Sequence, residues 1–540
     1  MKYQSMTSDV TVIGGGLSGT LAALGIAERG FRVTVLRDGR GASPHVAGFN
    51  LPGVEEGDSA ACFLEDTFKS AAGQADPVLA EILCNGSAAL RDDLKRLGFL
   101  LDVDENGKPK ARKSLGSSFA RVVGKGNSTG ADILAIADRL LREKENVTIL
   151  EHTRALRLLK RKNRISGVWA YEKERENFFT VRSACVLMAC GGYAGIFPFS
   201  SNTKDISGDG IAMALLAGAH VTDMEFVQFE PSCAVYPGSI RGKGMITTLF
   251  YEGAILTNAL GERFMLRYSP DAERVNKDVL AKCIAVELRE GRGPGRNGVY
   301  FDARGVDRQR MLDAYAPFVT RYRNVGIDLL TEPVEVANAA HTSLGGLKVD
   351  RNCETNIRGL YAIGEALGNL HGANRLGGSA GSETLVFSEY AANIICKSLE
   401  ADGGNTDFEG DVQVVLPDSA GKRIAPARIK EINGQLSGIL EKHLGVCREG
   451  AGLCDAVKES EQLLREVQDS SFGTDDRCVF EKCSLENRLI TAVALARSAL
   501  LRDDSVGSHW RLDCEWLPAE RYRTDVFVED NTVCANKVYF

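Results

Sequence analysis

The 540-residue chain is expected to be α/β. A Rossmann-like dinucleotide-binding domain should come first, interrupted by an inserted second domain of different character and followed by a mostly helical C-terminal region. Three observations predict this. A strand, a G-x-G-x-x-G turn, a helix and a second strand follow one another at the N-terminus. Glycine-ended apolar strands return near residues 190 and 364, on either side of a segment of different character. The last 140 or so residues show apolar spacing of helical period.

Residues 9–14, "DVTVIG", read as a short buried strand. The turn "GGGLSG" carries Gly14, Gly15, Gly16, Ser18 and Gly19, and a helix is expected over "TLAALGIAERG". Gly14 permits the tight turn, Gly16 lets backbone approach a pyrophosphate, and Gly19 lets the helix lie close on the sheet. The helix N-terminus then presents free N–H groups to phosphate. The second strand is "FRVTVLRD". Its end normally carries an acid for the adenosine ribose. Arg37 stands there and Asp38 follows, so Asp38 or backbone alone must hold the ribose.

Downstream, "SACVLMACGGYAG" is a strand ending in Gly191 and Gly192, and "SGDGIAMALLAGA" passes through Asp209 into a helix. From 221 to about 335 the βα punctuation stops, which marks the insertion. The strand "RGLYAIGEALG" brings the first domain back, with Glu365 at its end. The glycine-rich stretch "NLHGANRLGGSAGSE" around Arg375 follows, leading through Ser379 and Ala380 into a helix. The expected divisions are 1–222, 223–335, 336–400 and 401–540. "ADGGNTDFEGD" is the linker candidate, and three helices are expected beyond it, over "EINGQLSGILEKHL", "DAVKESEQLLREVQ" and "SLENRLITAVALARSALL".

Bulk properties exclude several classes. Hydrophobic residues are 44% and charged residues 25%, as in ordinary globular proteins. The net charge of −7 comes without a basic stripe, which argues against a nucleic-acid partner. The 14 cysteines show no paired C-x-x-C spacing, so no metal or iron–sulfur site is expected in this chain. The N-terminus runs into a strand without a charged-then-apolar leader, and no apolar run reaches bilayer length. A cytoplasmic protein is the expectation, with partners as its route to any membrane.

These motifs, taken in order, resemble the flavoprotein subunits of fumarate reductase and succinate dehydrogenase and their relative L-aspartate oxidase. "VIGGGLSG", "MEFVQFEPS", "AHTSLGGLKVD" and "GLYAIGEALGNLHGANRLGGSAGSE" carry the resemblance through the first domain and its insertion. "SLENRLITAVALARSALLRDDSVGSHWR" carries it to the C-terminal region. The resemblance implies an FAD-binding α/β domain with the insertion as an α+β capping domain, FAD as cofactor, and hydride transfer between flavin N5 and a small carboxylic acid. It implies that Arg375 and His341 hold a substrate carboxylate, that Glu365 lies near the ribityl chain, and that the turn at Ser379 and Ala380 lies against the flavin. An iron–sulfur or other electron-transfer subunit is implied as a candidate partner.

The chain departs from the family at three places. Where the family reads "FHPT", this chain has Phe229-Glu230-Pro231-Ser232, an acid for the substrate-binding histidine. Where the family has a glutamate and an arginine in a "TEGxRGEGG"-like stretch, Thr247 and Phe250 stand. The acid–base arginine is replaced by Lys277 in "KDVLAKCI". Lysine releases its proton more readily than arginine, so Lys277 is the candidate proton carrier. Glu230 either presents a carboxylate to the substrate, repelling a second substrate carboxylate, or pairs with a nearby base. Fumarate itself is therefore not the expected substrate. Amino-acid oxidation of the L-aspartate oxidase kind, with Glu230 facing the ammonium, is one alternative. A flavin electron-transfer subunit with no substrate of its own is the other. His45 of "SPHVAGFN" falls near the position that carries covalent flavin in membrane-bound members, but the surrounding context is lost and non-covalent FAD is the expectation.

Overall fold

The computed structural model describes residues 4–245, 247–402, 423–471, 475–514 and 521–540. Its central sheet has seven strands. Four parallel strands lie side by side in the order 147–150, 33–36, 4–13 and 177–188. The strand Leu360–Ala362 pairs in parallel with the end of 177–188, matching Val186, Leu187 and Met188. The strands VTVL and VTIL, and the carboxyl-terminal ends of 4–13 and 177–188, are rich in Val, Ile and Leu, as a sheet covered on both faces requires. The strand Val33–Leu36, for example, is buried at every position. The two remaining strands, Thr153–Arg161 and Arg164–Glu172, form an antiparallel ribbon on the beginning of 177–188.

The helix Leu17–Glu28 follows the glycine turn and is buried at ten of its twelve positions, from Leu17 to Ala27. It lies against Ser379–Ala401, the long helix that follows Arg375; where they meet, Ser388 donates a hydrogen bond to the Ser18 carbonyl at 3.2 Å. A side chain on Gly14, whose φ is +126°, would run into the Ala189 carbonyl, and one on Gly19 into that of Gly14. The first strand, its turn, its helix and the strand 177–188 thus meet with no room for Cβ atoms. The N-terminal strand spans Gln4–Ile13, longer than the sequence pattern suggests, because its polar start, Gln4–Ser8, continues the parallel pairing along Phe179–Ser183.

The cap has its own four-stranded antiparallel sheet, in the order 227–234, 334–343, 299–302 and 255–257. The helix Lys277–Arg289 packs on it, and a separate apolar core forms around Leu256, Phe264, Ile284 and Phe301. The boundary expected at 335 falls inside the strand Val334–Ser343, which starts in the cap sheet and ends at the cofactor cleft. The three expected C-terminal helices span Pro426–His443, Gly450–Asp469 and Asp476–Leu501. A feature without a sequence forecast follows them. The hairpin Tyr522–Glu529 and Thr532–Tyr539 joins the short strand Val221–Thr222, so the C-terminal region ends in sheet. Most of the linker candidate 401–411 lies outside the described residues.

Buried ions fasten the C-terminal region to the rest. Arg502 is fully buried; its Nε donates to Glu225 at 2.5 Å and its Nη2 to the Tyr522 carbonyl at 3.0 Å. Arg448, also buried, reaches the Glu225 carbonyl at 2.7 Å.

Candidate functional site

A long cleft runs across the carboxyl ends of the parallel strands, where ligands of open α/β sheets bind. Gly14, Gly15, Gly16, Ser18, Asp38, Gly191, Asp209, Glu365, Arg375 and Ala380 all line it. Gly19, Gly192 and Ser379 support it from behind. A side chain on Gly192 would collide with Ser343 Oγ and with Glu365, while Ser379 accepts a 3.1 Å hydrogen bond from Asn50.

Arg37 is not brought to this cleft. Its buried guanidinium is held by Glu151, with an Nε–Oε2 distance of 2.6 Å, and by Asp138, and its stem packs on Gly15. The next residue points the other way, as side chains alternate in extended chain. Asp38 therefore faces the cleft, where Arg154 Nε at 2.7 Å and Lys173 Nζ at 2.6 Å hold it. Asp209 accepts from Asn487 at 3.0 Å and from Arg154 at 3.4 Å. His45 also stands outside the lining, exposed on the turn Ser43–His45, although Ser43 and Val46 on either side do line the cleft. Partial burial, with Lys243 and Arg321 nearby, pulls its pKa below the ordinary histidine value.

Among the lining residues that sequence reasoning passed over, three carry charge or a ring nitrogen into the cleft: Arg154, His371 and Glu383. Arg154 comes from the antiparallel ribbon, which carries no motif. His371 and Glu383 flank Arg375 within the glycine-rich stretch, and glycine density there was the available signal. Their side chains meet at 3.0 Å, both buried. Glu383 Oε1 and Arg375 Nε are buried without a hydrogen-bond partner among the described residues. Orphaned polar atoms of this kind call for a bound group that supplies donors and acceptors. Together with the Cβ-free turn, the helix N-terminus and Asp38, they fit a flavin dinucleotide.

Beyond Arg375 the cleft meets the cap. Gln228 fixes the arginine loop by donating to the Arg375 carbonyl at 2.9 Å and to Asn374 Oδ1 at 2.7 Å. The Arg375 side chain is 7% exposed and makes no ion pair among the described residues. Burial lowers its pKa from the usual guanidinium value, against the opposing charges of Glu365, Glu383 and Glu230. His341 holds Ser201 Oγ at 2.9 Å through Nδ1. Burial, then the charges of Lys277 and Arg375, push its pKa well below the ordinary histidine value, which favours the neutral ring. Glu365 accepts from Ser343 N at 2.9 Å and Oγ at 3.0 Å, while burial raises its carboxyl.

Lys277 and Glu230 form an ion pair at 2.5 Å, with both side chains largely covered. Lys277 opens the cap helix, where a cation faces the positive end of the dipole, and Glu230 supplies compensating charge. Ser232 Oγ adds a hydrogen bond to Glu230 at 3.3 Å. Of the two readings of Glu230, the structure has the paired one. Phe250 packs into the cap core with its ring 5.3 Å from Phe301, so that position is structural here.

A family model described as FAD binding domain matches residues 9–380, and one described as fumarate reductase flavoprotein C-term matches residues 433–537. A fumarate reductase (CoM/CoB) subunit of Methanothermobacter marburgensis is 31% identical over 527 residues, covering 95% of both chains. The L-aspartate oxidase of Streptomyces coelicolor is 31% identical, over 94% of this chain and 89% of that one. In fold, a point variant of the E. coli quinol fumarate reductase flavoprotein superposes with a TM-score of 0.88 at 22% identity, covering 99% of this chain and 97% of that one. Among the described residues no helix is long and apolar enough to cross a membrane.

Proposed function

Because this chain belongs to the flavoprotein family that includes fumarate reductase and L-aspartate oxidase, and is an FAD-dependent oxidoreductase, we propose that its substrate is a small carboxylic acid with one free carboxylate end. The observation that carries this reading is the Lys277–Glu230 pair at 2.5 Å. A second substrate carboxylate would have to displace Glu230 from its lysine inside a largely desolvated site, which is costly.

FAD, when bound, supplies the two-electron chemistry at the Arg375 end of the cleft. The rest falls to side chains. Arg375 offers a planar fork to the carboxylate and needs little reorganisation, because Gln228 already fixes its loop. Neutral His341 donates a ring N–H to the same carboxylate. Lys277 moves the proton at the substrate carbon, and Glu230 stabilises the cation while the lysine is protonated. The cap excludes water around this step. The cofactor is read as non-covalent, since His45 does not line the cleft. Acid precipitation should then leave a colourless pellet and a yellow supernatant. An electron-transfer subunit is the proposed partner, supported by the Methanothermobacter relative, which is itself one subunit of a fumarate reductase.

A second reading is amino-acid oxidation. It is favoured by Glu230 already binding an ammonium, that of Lys277, since a substrate ammonium suits the same carboxylate. Anaerobic titration of the oxidised holoenzyme separates the two. Bleaching by L-aspartate or another amino acid, without response to saturated monocarboxylates, would replace the first reading with the second. No response to any acid, with rapid reduction by a partner protein, would leave electron transfer alone.

A further inference from the structure

A second cavity, of about 590 Å³, opens away from the flavin cleft between the cap and the C-terminal helices. Its volume lies in the range of small-molecule sites. All three bodies of the molecule wall it. Phe197 and Phe199 come from the first domain, Phe229 and Leu288 from the cap, and Leu440 and Val446 from the C-terminal region. Over this apolar floor stand Arg241, Arg289, Arg296 and Lys442, against two carboxylates, Glu441 and Glu449. Arg289 is already committed to Glu449 at 2.7 Å, and Arg296 lies 3.7 Å from Glu335. Arg241 lies over the Phe199 ring at 4.3 Å, and neither Arg241 nor Lys442 has a carboxylate partner among the described residues. An aromatic floor with uncommitted cations at its rim selects an anion with a flat apolar body.

The cavity is linked mechanically to the catalytic cleft. The helix Lys277–Arg289 starts at the Lys277–Glu230 pair and ends at Leu288 and Arg289 in the cavity wall, roughly 20 Å away at helical rise. Asn338, also in the wall, pins the middle of that helix through the Ala281 carbonyl at 2.8 Å. The strand Val227–Ala234 likewise gives Phe229 to the cavity and the adjacent Glu230 to Lys277. A molecule seated here touches the cap on one side and the helix Pro426–His443 on the other.

We propose that this cavity is a second ligand site, selective for an aryl carboxylate or an anion of that class, and that its occupation holds the cap against the C-terminal helices. It is independent of the substrate reading above. The test uses the FAD-loaded enzyme and 2-naphthoate, with naphthalene-2-methanol as the uncharged control, by equilibrium dialysis and hydrogen exchange. Naphthoate should bind and should still bind the Arg375→Lys protein, which places it outside the catalytic cleft. Arg241→Glu should weaken it at least ~10-fold, the scale of one charge contact, and the uncharged control should be weaker by a similar factor. Val446→Trp, which fills the cavity without touching charge, should also block it. Exchange should slow together at 285–289 and 440–449. Absence of binding at about 1 mM, the weak edge of specific recognition, would overturn the proposal. So would binding lost in Arg375→Lys and indifferent to both cavity variants, or a dimer that covers this face and dissociates in Arg241→Glu.

Discussion

Along the cofactor cleft the fit is set by backbone. Gly14, Gly16 and Gly191 bring main chain to the ligand, and the helix Leu17–Glu28 points its N-terminus at it. The proposed substrate end is built from side chains on distant segments, with Glu230 on the cap sheet, Lys277 on the cap helix, His341 on a crossing strand and Arg375 in a loop. Backbone recognition asks only for glycines at fixed spacing and tolerates change elsewhere. Side-chain recognition depends on each residue, and it is there, at Glu230 and Lys277, that the sequence leads one to expect a departure from the family pattern. A division of this kind would let a chain keep its cofactor while its substrate changes.

The sharpest way to break that contrast is at the glycine turn. Gly14 has a φ of +126° and faces the Ala189 carbonyl, so Gly14→Val adds strain and collision together. A loss of ~3 kcal/mol or more is expected, with a colourless protein by absorbance. A Gly14→Val protein that is yellow and stoichiometric in FAD would show that the turn is not the phosphate cradle.

At the substrate end, Arg375→Lys keeps charge but loses the planar fork. Turnover should fall at least ~100-fold with flavin content unchanged. Steady-state rates beside the flavin spectrum check both halves. The milder Glu230→Gln keeps shape and removes the counter-charge of Lys277. A fall of ~10-fold is expected, the size of one lost charge-assisted contact, together with an altered pH–rate profile. An unaltered profile would separate Glu230 from the proton path.

The smallest effect concerns the cap as a folded body. Burial alone would raise the Glu287 carboxyl. Hydrogen bonds from Arg292, Asn258 and Tyr268 and the charge of Arg267 instead hold it at about 2. A depressed carboxylate contributes stability above its unfolded value of ~4.3, and that stability is lost as pH falls toward the folded value. Wild type should therefore lose denaturant stability between about pH 4.5 and 2, and Glu287→Gln should flatten that slope at some cost at neutral pH. Denaturant midpoints across this range decide it.

Much of the fold was legible because its signals are local. The strand–turn–helix start, the returning strand at Leu360–Ala362 and three C-terminal helices all carry their own periodicity. The hairpin at 522–539 was not, because its strands are specified by pairing with Val221–Thr222, some 300 residues away. The site divides the same way. Glycine spacing pointed to the cofactor turn, but Arg154 reaches the cleft from an unmarked ribbon, and Arg37 turns to Asp138 and Glu151 where position alone would make it a ligand. The Lys277–Glu230 pair spans 47 positions. From sequence, resemblance could name its members, but only the cap sheet and helix bring them together.

The most direct test is stopped-flow reoxidation of the reduced holoenzyme by crotonate and by fumarate, paired with reduction of the oxidised holoenzyme by butyrate and by succinate, in wild type and Lys277→Ala. The account predicts that in whichever direction the enzyme works the monocarboxylate reacts at least ~10-fold faster than the dicarboxylate, the scale of the cost of parting Glu230 from Lys277 to admit a second carboxylate, and that Lys277→Ala suppresses this step while FAD stays bound. Rapid reoxidation by fumarate, unchanged in Lys277→Ala, would contradict it.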